Sequence, residues 1–389
     1  MPTFYEFFAG GGMVRAGLGN AWNCLFANDF DPKKAMAYQA NWGVGGELKI
    51  GDVNALSAAD LSGAADLMWG SFPCQDLSLA GVGAGLAGAR SGTFYGFWRI
   101  VAALAAEGRA PRLVAVENVV GALTSHQGRD FSAMIDTFRR HGYRAGALVV
   151  NADSFVPQSR PRLFVIGVHE AVPILPELVA EAPVPPFHTR GLVRAVEQLP
   201  ADLRAGCVWW NMPTPPLRNS AFADLIEHEP SGVAWHDVAE TTRLLEMMSP
   251  VNRAKVDAAR RAGRRMVGGI YRRTRRDAEG RKVQRAEVRF DDVAGCLRTP
   301  AGGSSRQTIM IVDGEDIRTR LISARETARL MGLDDSYALP RNYNEAYHLT
   351  GDGVVVPVVR HIAEHIFEPL LAESPAMGRS QMHATSRVA

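Results

Sequence analysis

One thiol, one carboxyl group and two guanidinium groups stand at the ends of three apolar runs, and they are the residues of this chain best placed for chemistry. Cys74 lies in Gly70-Ser71-Phe72-Pro73-Cys74-Gln75, directly after Ala65-Asp66-Leu67-Met68-Trp69, so a nucleophile is presented at the end of a buried strand. Glu117 lies in Val116-Glu117-Asn118-Val119, after Arg112-Leu113-Val114-Ala115. Arg160 and Arg162 lie in Gln158-Ser159-Arg160-Pro161-Arg162, before Leu163-Phe164-Val165-Ile166-Gly167. Together these are a nucleophile, an acid and a basic pair, each at the mouth of a strand. The other cysteines, Cys24, Cys207 and Cys296, are far apart and lack the paired spacing of zinc sites or redox dithiols. They read as small buried hydrophobes, and no metal site is indicated.

The elements that must position these groups read as an α/β fold. Short apolar runs alternate with helical patterns over the first 170 residues, which implies a mostly parallel sheet covered on both faces. Strands are expected at Thr3–Phe8, Cys24–Asn28, Asp66–Gly70, Leu113–Glu117, Ala145–Asn151 and Leu163–Val168, and helices at Pro32–Asn41, Phe94–Ala106 and Phe131–His141. After Val168 the prolines at 173, 176, 183, 185 and 186 suit a linker into a second domain. Ala324–Met331 looks helical, Thr299–Ser305 reads as a loop, and Val354–Leu371 has helical spacing. The first strand begins by residue 3 with no helix ahead of it, so a later helix must return to cover it. The larger domain is therefore expected at 1–175 plus 345–371, the second at 176–344, and a disordered tail at 372–389.

Composition bounds the function. The chain has 389 residues, 47% of them hydrophobic and 22% charged, an ordinary globular balance. No apolar run approaches the roughly 18 residues of a membrane span, and Met1–Glu6 lacks a signal-type core, so a cytoplasmic protein is expected. Net charge is only +2, but Arg253–Arg289 holds 14 Lys and Arg against 4 Asp and Glu, leaving 29 against 37 elsewhere. A mildly acidic body with one strongly cationic segment points to a polyanionic partner.

These motifs, with Phe8-Ala9-Gly10-Gly11-Gly12 near the start and Gly351-Asp352-Gly353-Val354 near the end, resemble the DNA (cytosine, carbon-5) methyltransferase family of prokaryotic type. The match is in order and nearly spans the chain. The resemblance implies a Rossmann-like S-adenosylmethionine-dependent methyltransferase domain with a smaller target-recognition domain. In such enzymes Phe8, Ala9, Gly10 and Gly12 would form the cofactor loop, Asp29 would accept hydrogen bonds from the ribose hydroxyls, and Phe30 would stack on adenine. Asp52 with Val53 would meet the adenine amino group, and Pro73, Asp352, Gly353 and Val354 would complete the pocket. Two positions depart from the family: Met13 replaces the second glycine of a Gly-Gly pair, and Asp352 replaces a common asparagine. The loop also lacks the full Gly-x-Gly-x-x-Gly pattern, so a pyrophosphate cofactor is not indicated.

The chemistry implied is addition of the Cys74 thiolate to carbon-6 of cytosine, which makes carbon-5 nucleophilic toward a methyl donor. Glu117 would stabilise the charge at N3, while Arg162, partnered by Arg160, would bind O2 and orient Glu117. The glycine-rich stretch Ala80–Gly92 reads as a lid over a base extruded from the duplex. Double-stranded DNA is the expected partner, with Ser78, Arg272, Arg273, Arg275 and Arg276 as contacts. Arg325 and Glu326 read as organisers of the recognition domain. A monomer is expected, and the motifs leave open whether it accompanies a separately encoded cognate restriction enzyme or acts alone. A tRNA cytosine methyltransferase shares the catalytic motifs, and a non-enzymatic nucleic-acid binder on the same fold is the remaining rival.

Overall fold

The computed structural model describes residues 1–72, 92–277, 279–298 and 306–372. Pro73, Cys74 and Ser78 lie outside the described residues, as do most of the Ala80–Gly92 stretch, Thr299–Ser305 and the tail beyond 372.

The chain divides into two compact units, the first formed by Met1–Asn151, Pro161–Pro215 and the segment from Val356 onward. Its described residues hold a seven-stranded sheet: β1 Thr3–Phe7, β2 Asn23–Asp29, β3 Leu48–Ile50, β4 Leu67–Ser71, β5 Leu113–Val119, β6 Tyr143–Asn151 and β7 Pro161–His169. The order is β3-β2-β1-β4-β5-β7-β6. β1 to β5 run parallel, whereas β7 is antiparallel to both β5 and β6. Helices α1 Met13–Leu18, α2 Pro32–Trp42, α3 Gly92–Ala106 and α4 Arg129–Arg140 connect the strands. β3 escapes the sequence pattern because it has three residues, two of them exposed. β1 pairs with β2 on one side and β4 on the other, which makes the carboxyl ends of these strands the switch point where open α/β sheets bind ligands.

The chain returns to this unit at Val356 and packs on α1. Val356–Ile362 packs on α1 so closely that a Cβ on Gly17 would stand 2.5 Å from that of Val359. Arg360 donates to the carbonyl of Leu18 at 2.9 Å, satisfying an orphan acceptor at the end of α1. Phe367, fully buried, meets Trp22 and Trp69 edge-on at 6.4 and 6.3 Å. The proline-punctuated stretch read as a linker lies instead along β6. Phe187 accepts from the amide of Val149, and Val208 donates to Ala145, both at 2.9 Å, so backbone groups of an edge strand are satisfied.

The second unit comprises Ala152–Arg160 and Pro216–Val355. Its antiparallel sheet has the order β11-β10-β8-β9, with β8 Met266–Arg276, β9 Lys282–Arg289, β10 Thr308–Asp313 and β11 Asp316–Leu321. Val256 and Ala259 of the helix Pro250–Arg260 pack on Met266, Ile270, Val288 and Met310 of this sheet. Arg320 and Glu326 form a fully buried pair at 2.6 Å, so Glu326 is a structural partner, while Arg325 donates to the carbonyl of Tyr337.

Candidate active site

The site on the first unit begins where β1 stops. Phe8 and Gly10 adopt left-handed backbone angles, φ 59° and 56°, and Gly12 caps α1 at φ 76°. The two glycines serve different ends. A Cβ on Gly12 would stand 2.2 Å from Nε1 of Trp42, whose indole donates to the carbonyl of Gly11, so Gly12 is needed for internal packing. A Cβ on Gly10 would meet nothing within 4 Å, so the loop opens on that side to an approaching ligand.

Asp29, buried at the end of β2, ties this loop in place. Its carboxylate accepts from the amide of Gly10 at 2.8 Å and from that of Asp31 at 2.9 Å. A carboxylate has about four acceptor sites, so two remain for a ligand's hydroxyls. Phe30 beside it is 71% exposed, an apolar ring with one open face. Asn28 donates to the carbonyls of Lys49 and Gly51 and so fixes the turn before Asp52. Asp52 in turn caps Asn54 at 2.9 Å, and Val53 is buried. An open loop, an acceptor, a stacking ring and a second acid at one strand edge fit a nucleoside-bearing cofactor.

Glu117 and Arg162 form the second half. Glu117 is 6% exposed on β5, and Nε of Arg162 on β7 stands 3.1 Å from its Oε1. The register pairs Val119 with Arg162 and Glu117 with Phe164, which makes acid and base diagonal neighbours on one face. The reversal of β7 is what permits this: in a parallel strand, its second residue would lie at the opposite edge from the carboxyl end of β5. Asn118, given no role from sequence, donates to the carbonyl of Phe72 at 3.1 Å and accepts from the amide of Val119 at 2.7 Å. Phe72 therefore links three parts of the site, since its ring also packs on Phe8 at 4.9 Å and on Phe94 and Phe97 of α3 at 5.3 Å each.

Arg160 has other partners than the acid. It is buried in the second unit and donates to the carbonyls of Leu297, Gly351 and Gly353 at 3.0, 2.9 and 2.7 Å. It is thus a positioning group for the backbone on which Asp352, Gly353 and buried Val354 lie. Asp352 is the exposed last residue of a helix, Tyr343–Asp352. The described cysteines are half-buried, and burial pushes the thiols of Cys24 and Cys207 up to about 12 and about 11. Neither supplies a thiolate at neutral pH.

A family model, C-5 cytosine-specific DNA methylase, matches residues 2–368. The chain belongs to that family. It is an S-adenosylmethionine-dependent DNA (cytosine-5-)-methyltransferase. The methyltransferase is 26% identical over 380 residues to Type II methyltransferase M.NlaX of Neisseria lactamica, covering 96% of this chain and 99% of that one. It is 24% identical over 388 residues to Type II methyltransferase M.HpaII of Haemophilus parainfluenzae, covering 95% and 90%. Among solved structures, the Dnmt2 methyltransferase of S. pombe shares its fold with a TM-score of 0.60 at 17% identity, over 95% of this chain and 99% of the other. Among the described residues no cluster of three His, Cys, Asp or Glu could hold a metal ion, and no helix is long and apolar enough to cross a membrane.

Proposed function

We propose that this methyltransferase modifies carbon-5 of a cytosine extruded from a specific duplex DNA sequence, with Cys74 as a transient covalent nucleophile. The first unit is the catalytic and cofactor-binding part, and the second reads the target. The observation that carries the reading is the buried Glu117–Arg162 pair, whose strand is tied through Asn118 to Phe72, two residues before Cys74. The loop at Gly10 with Asp29, Phe30 and Asp52 would hold S-adenosylmethionine, which when bound supplies an electrophilic methyl group.

The chain's own groups do the rest. The Cys74 thiolate bonds to carbon-6, and the ring electron pair moves toward N3, where protonated Glu117 donates the proton that neutralises it. Arg162 holds Glu117 in orientation and donates to O2. After carbon-5 is methylated, its proton passes to water, the carbon–sulfur bond breaks to return the thiolate, and the N3 proton goes back to Glu117. Stacked bases shield carbon-6 from such an attack, so the target nucleotide must leave the helix. The Type II names of the relatives favour a role beside a restriction enzyme.

The test uses duplex DNA carrying 5-fluorocytosine, whose carbon-5 has no proton to lose. Wild type should form a denaturation-resistant adduct, and Cys74→Ser should form none while binding the cofactor normally. Full transfer by the serine variant would refute the thiolate route. Labelling of tRNA but not DNA would replace the substrate assignment.

A further inference from the structure

β8 leaves the second unit's sheet as one strand of a two-stranded ribbon, and β9 returns into the sheet as the other. Met266–Ile270 are buried, but Arg272, Arg273, Thr274, Arg275 and Arg276 are all exposed. The register sets Tyr271 opposite Glu287, Arg273 opposite Arg285, Thr274 opposite Gln284 and Arg276 opposite Lys282. The pleat therefore sends Tyr271, Arg273, Arg275, Arg285 and Glu287 to one face, and Arg272, Thr274, Arg276, Lys282 and Gln284 to the other.

Arg273–Arg285 and Arg276–Lys282 are like charges directly across the ladder, an arrangement that costs stability in the free protein and is relieved by a polyanion. The two faces differ in how their cations are held. Glu287 stands 3.4 Å from Nε of Arg273 and accepts from Nε of Arg275 at 2.6 Å. The guanidinium of Arg273 also lies 5.7 Å from the centre of the Tyr271 ring. Both arginine side chains remain about half exposed, at 54% and 50%, so they are oriented yet open to a ligand. The residues of the other face include no carboxylate.

A major groove admits a two-stranded ribbon, and an arginine held in a fixed pose matches the O6 and N7 acceptors of guanine with two parallel bonds. Cations without a carboxylate partner, among them Arg276, which donates to the carbonyl of Gly280 at 2.7 Å, suit phosphates, which position the protein without reading sequence. We propose that the β8–β9 ribbon enters the major groove of the target duplex. Arg273 and Arg275, oriented by Glu287, read guanines there. Arg272, Arg276 and Lys282 reach the phosphates on the groove rims. The inference rests on the duplex-DNA reading above.

The experiment maps every methylated cytosine in a random-sequence plasmid library by bisulfite sequencing, after treatment with wild type or one of five variants. The wild-type target should contain guanine outside the methylated base pair. Arg273→Ala and Arg275→Ala should each accept other bases at one such position, with discrimination reduced on the order of 5- to 150-fold. Arg275→Lys, which keeps the charge but loses the fork, should relax the same position, and Glu287→Gln should do so more weakly. The double variant Arg272→Ala/Lys282→Ala should keep the target and bind all DNA more weakly. Its slope of log affinity against log salt should flatten by about 0.9 for each phosphate no longer neutralised. Folding is checked by thermal melting, and the surface-exposed Arg275→Lys keeps the inference testable if an alanine variant melts early. An unchanged target in both alanine variants, or a target without such guanines, would overturn the inference while leaving the duplex-DNA reading intact. A wild type that methylates no DNA would overturn both.

Discussion

Replacing Glu6 by glutamine should remove a pH-dependent weakness of the first unit. Glu6 lies on β1 opposite Ala27 of β2 and Trp69 of β4, is 1% exposed, and has neither carboxyl oxygen in a well-formed hydrogen bond. Burial pushes its carboxyl up to about 8; the Arg15 charge and the nearby amides of Val14 and Arg15 on α1 oppose the shift, and Asp29 at the end of β2 adds to it. Cys24 and Tyr38, the other titratable neighbours, are themselves held neutral by burial. In the unfolded chain the same group ionises near 4.5. Below that pH both states are protonated and Glu6 costs nothing. Between about 4.5 and about 8 the unfolded chain loses its proton while the folded one keeps it, so stability falls as pH rises. At roughly 1.4 kcal/mol per pH unit the loss across that window is on the order of 4 kcal/mol. Glutamine keeps the shape and cannot titrate, though its amide hydrogens lack acceptors and cost about 1 kcal/mol at every pH. Urea unfolding of both proteins between pH 4 and pH 8.5, followed by tryptophan fluorescence, should show curves that cross at about pH 5. Wild type should be the more stable near pH 4, and Glu6→Gln by a few kcal/mol above pH 8. Parallel profiles would mean that Glu6 is ionised in the folded state and paired with Arg15, and the burial argument would fail.

Two further outcomes probe the site directly. Asn118→Ala removes the bond to the Phe72 carbonyl and should lower kcat on the order of a hundredfold through misplacement of the segment that follows, with cofactor affinity unchanged because the Gly10–Asp29 bond is untouched. Methyl-incorporation kinetics with calorimetric titration of S-adenosylmethionine separate the two effects, and an equal loss in both would make Asn118 a folding residue. Gly10→Ala should cost about 1–2 kcal/mol for its left-handed backbone and weaken cofactor binding further, whereas Gly12→Ala should chiefly lower the melting temperature by collision with Trp42. Normal cofactor affinity in Gly10→Ala would show that the open side of the loop is not the cradle.

The parts legible in the sequence are those fixed by local periodicity or by residue type. β1, β2, β4 and β5 fall within two residues of their expected ends because each is an apolar run bounded by polar or glycine residues. The ends of β1 and β2, where Gly10 and Asp29 are tied to each other, are marked by those runs, whereas the cofactor role of the two residues is implied by the family resemblance and not by any pattern. Strand direction is different, since a strand buried on both faces carries no mark of which way it runs. β7 reads equally well as parallel, and only its pairing with β5 brings Arg162 to the carboxyl edge beside Glu117. Groups that act through backbone partners are equally hidden. Asn118 matters because of the carbonyl of Phe72, and Arg160 because of carbonyls at Leu297, Gly351 and Gly353, none of which a side-chain pattern displays.

The same reasoning explains why two arginines one residue apart have different tasks. Pro161 opens β7, a place where the missing amide donor costs nothing, and the pleat then carries Arg162 onto the Glu117 face. Arg160 precedes the strand, so no pleat governs its side chain, and its fork is consumed by carbonyls that lie far away in the chain. A lysine at 162 would retain the charge beside Glu117 but lose the planar fork that can hold the acid and a substrate oxygen together. A lysine at 160 would leave several buried carbonyls short of donors. Arg162→Lys should therefore lower kcat with little change in melting temperature and Arg160→Lys should lower the melting temperature, so methyl-incorporation kinetics beside thermal melting separate them, and equal effects of the two variants would refute the distinction.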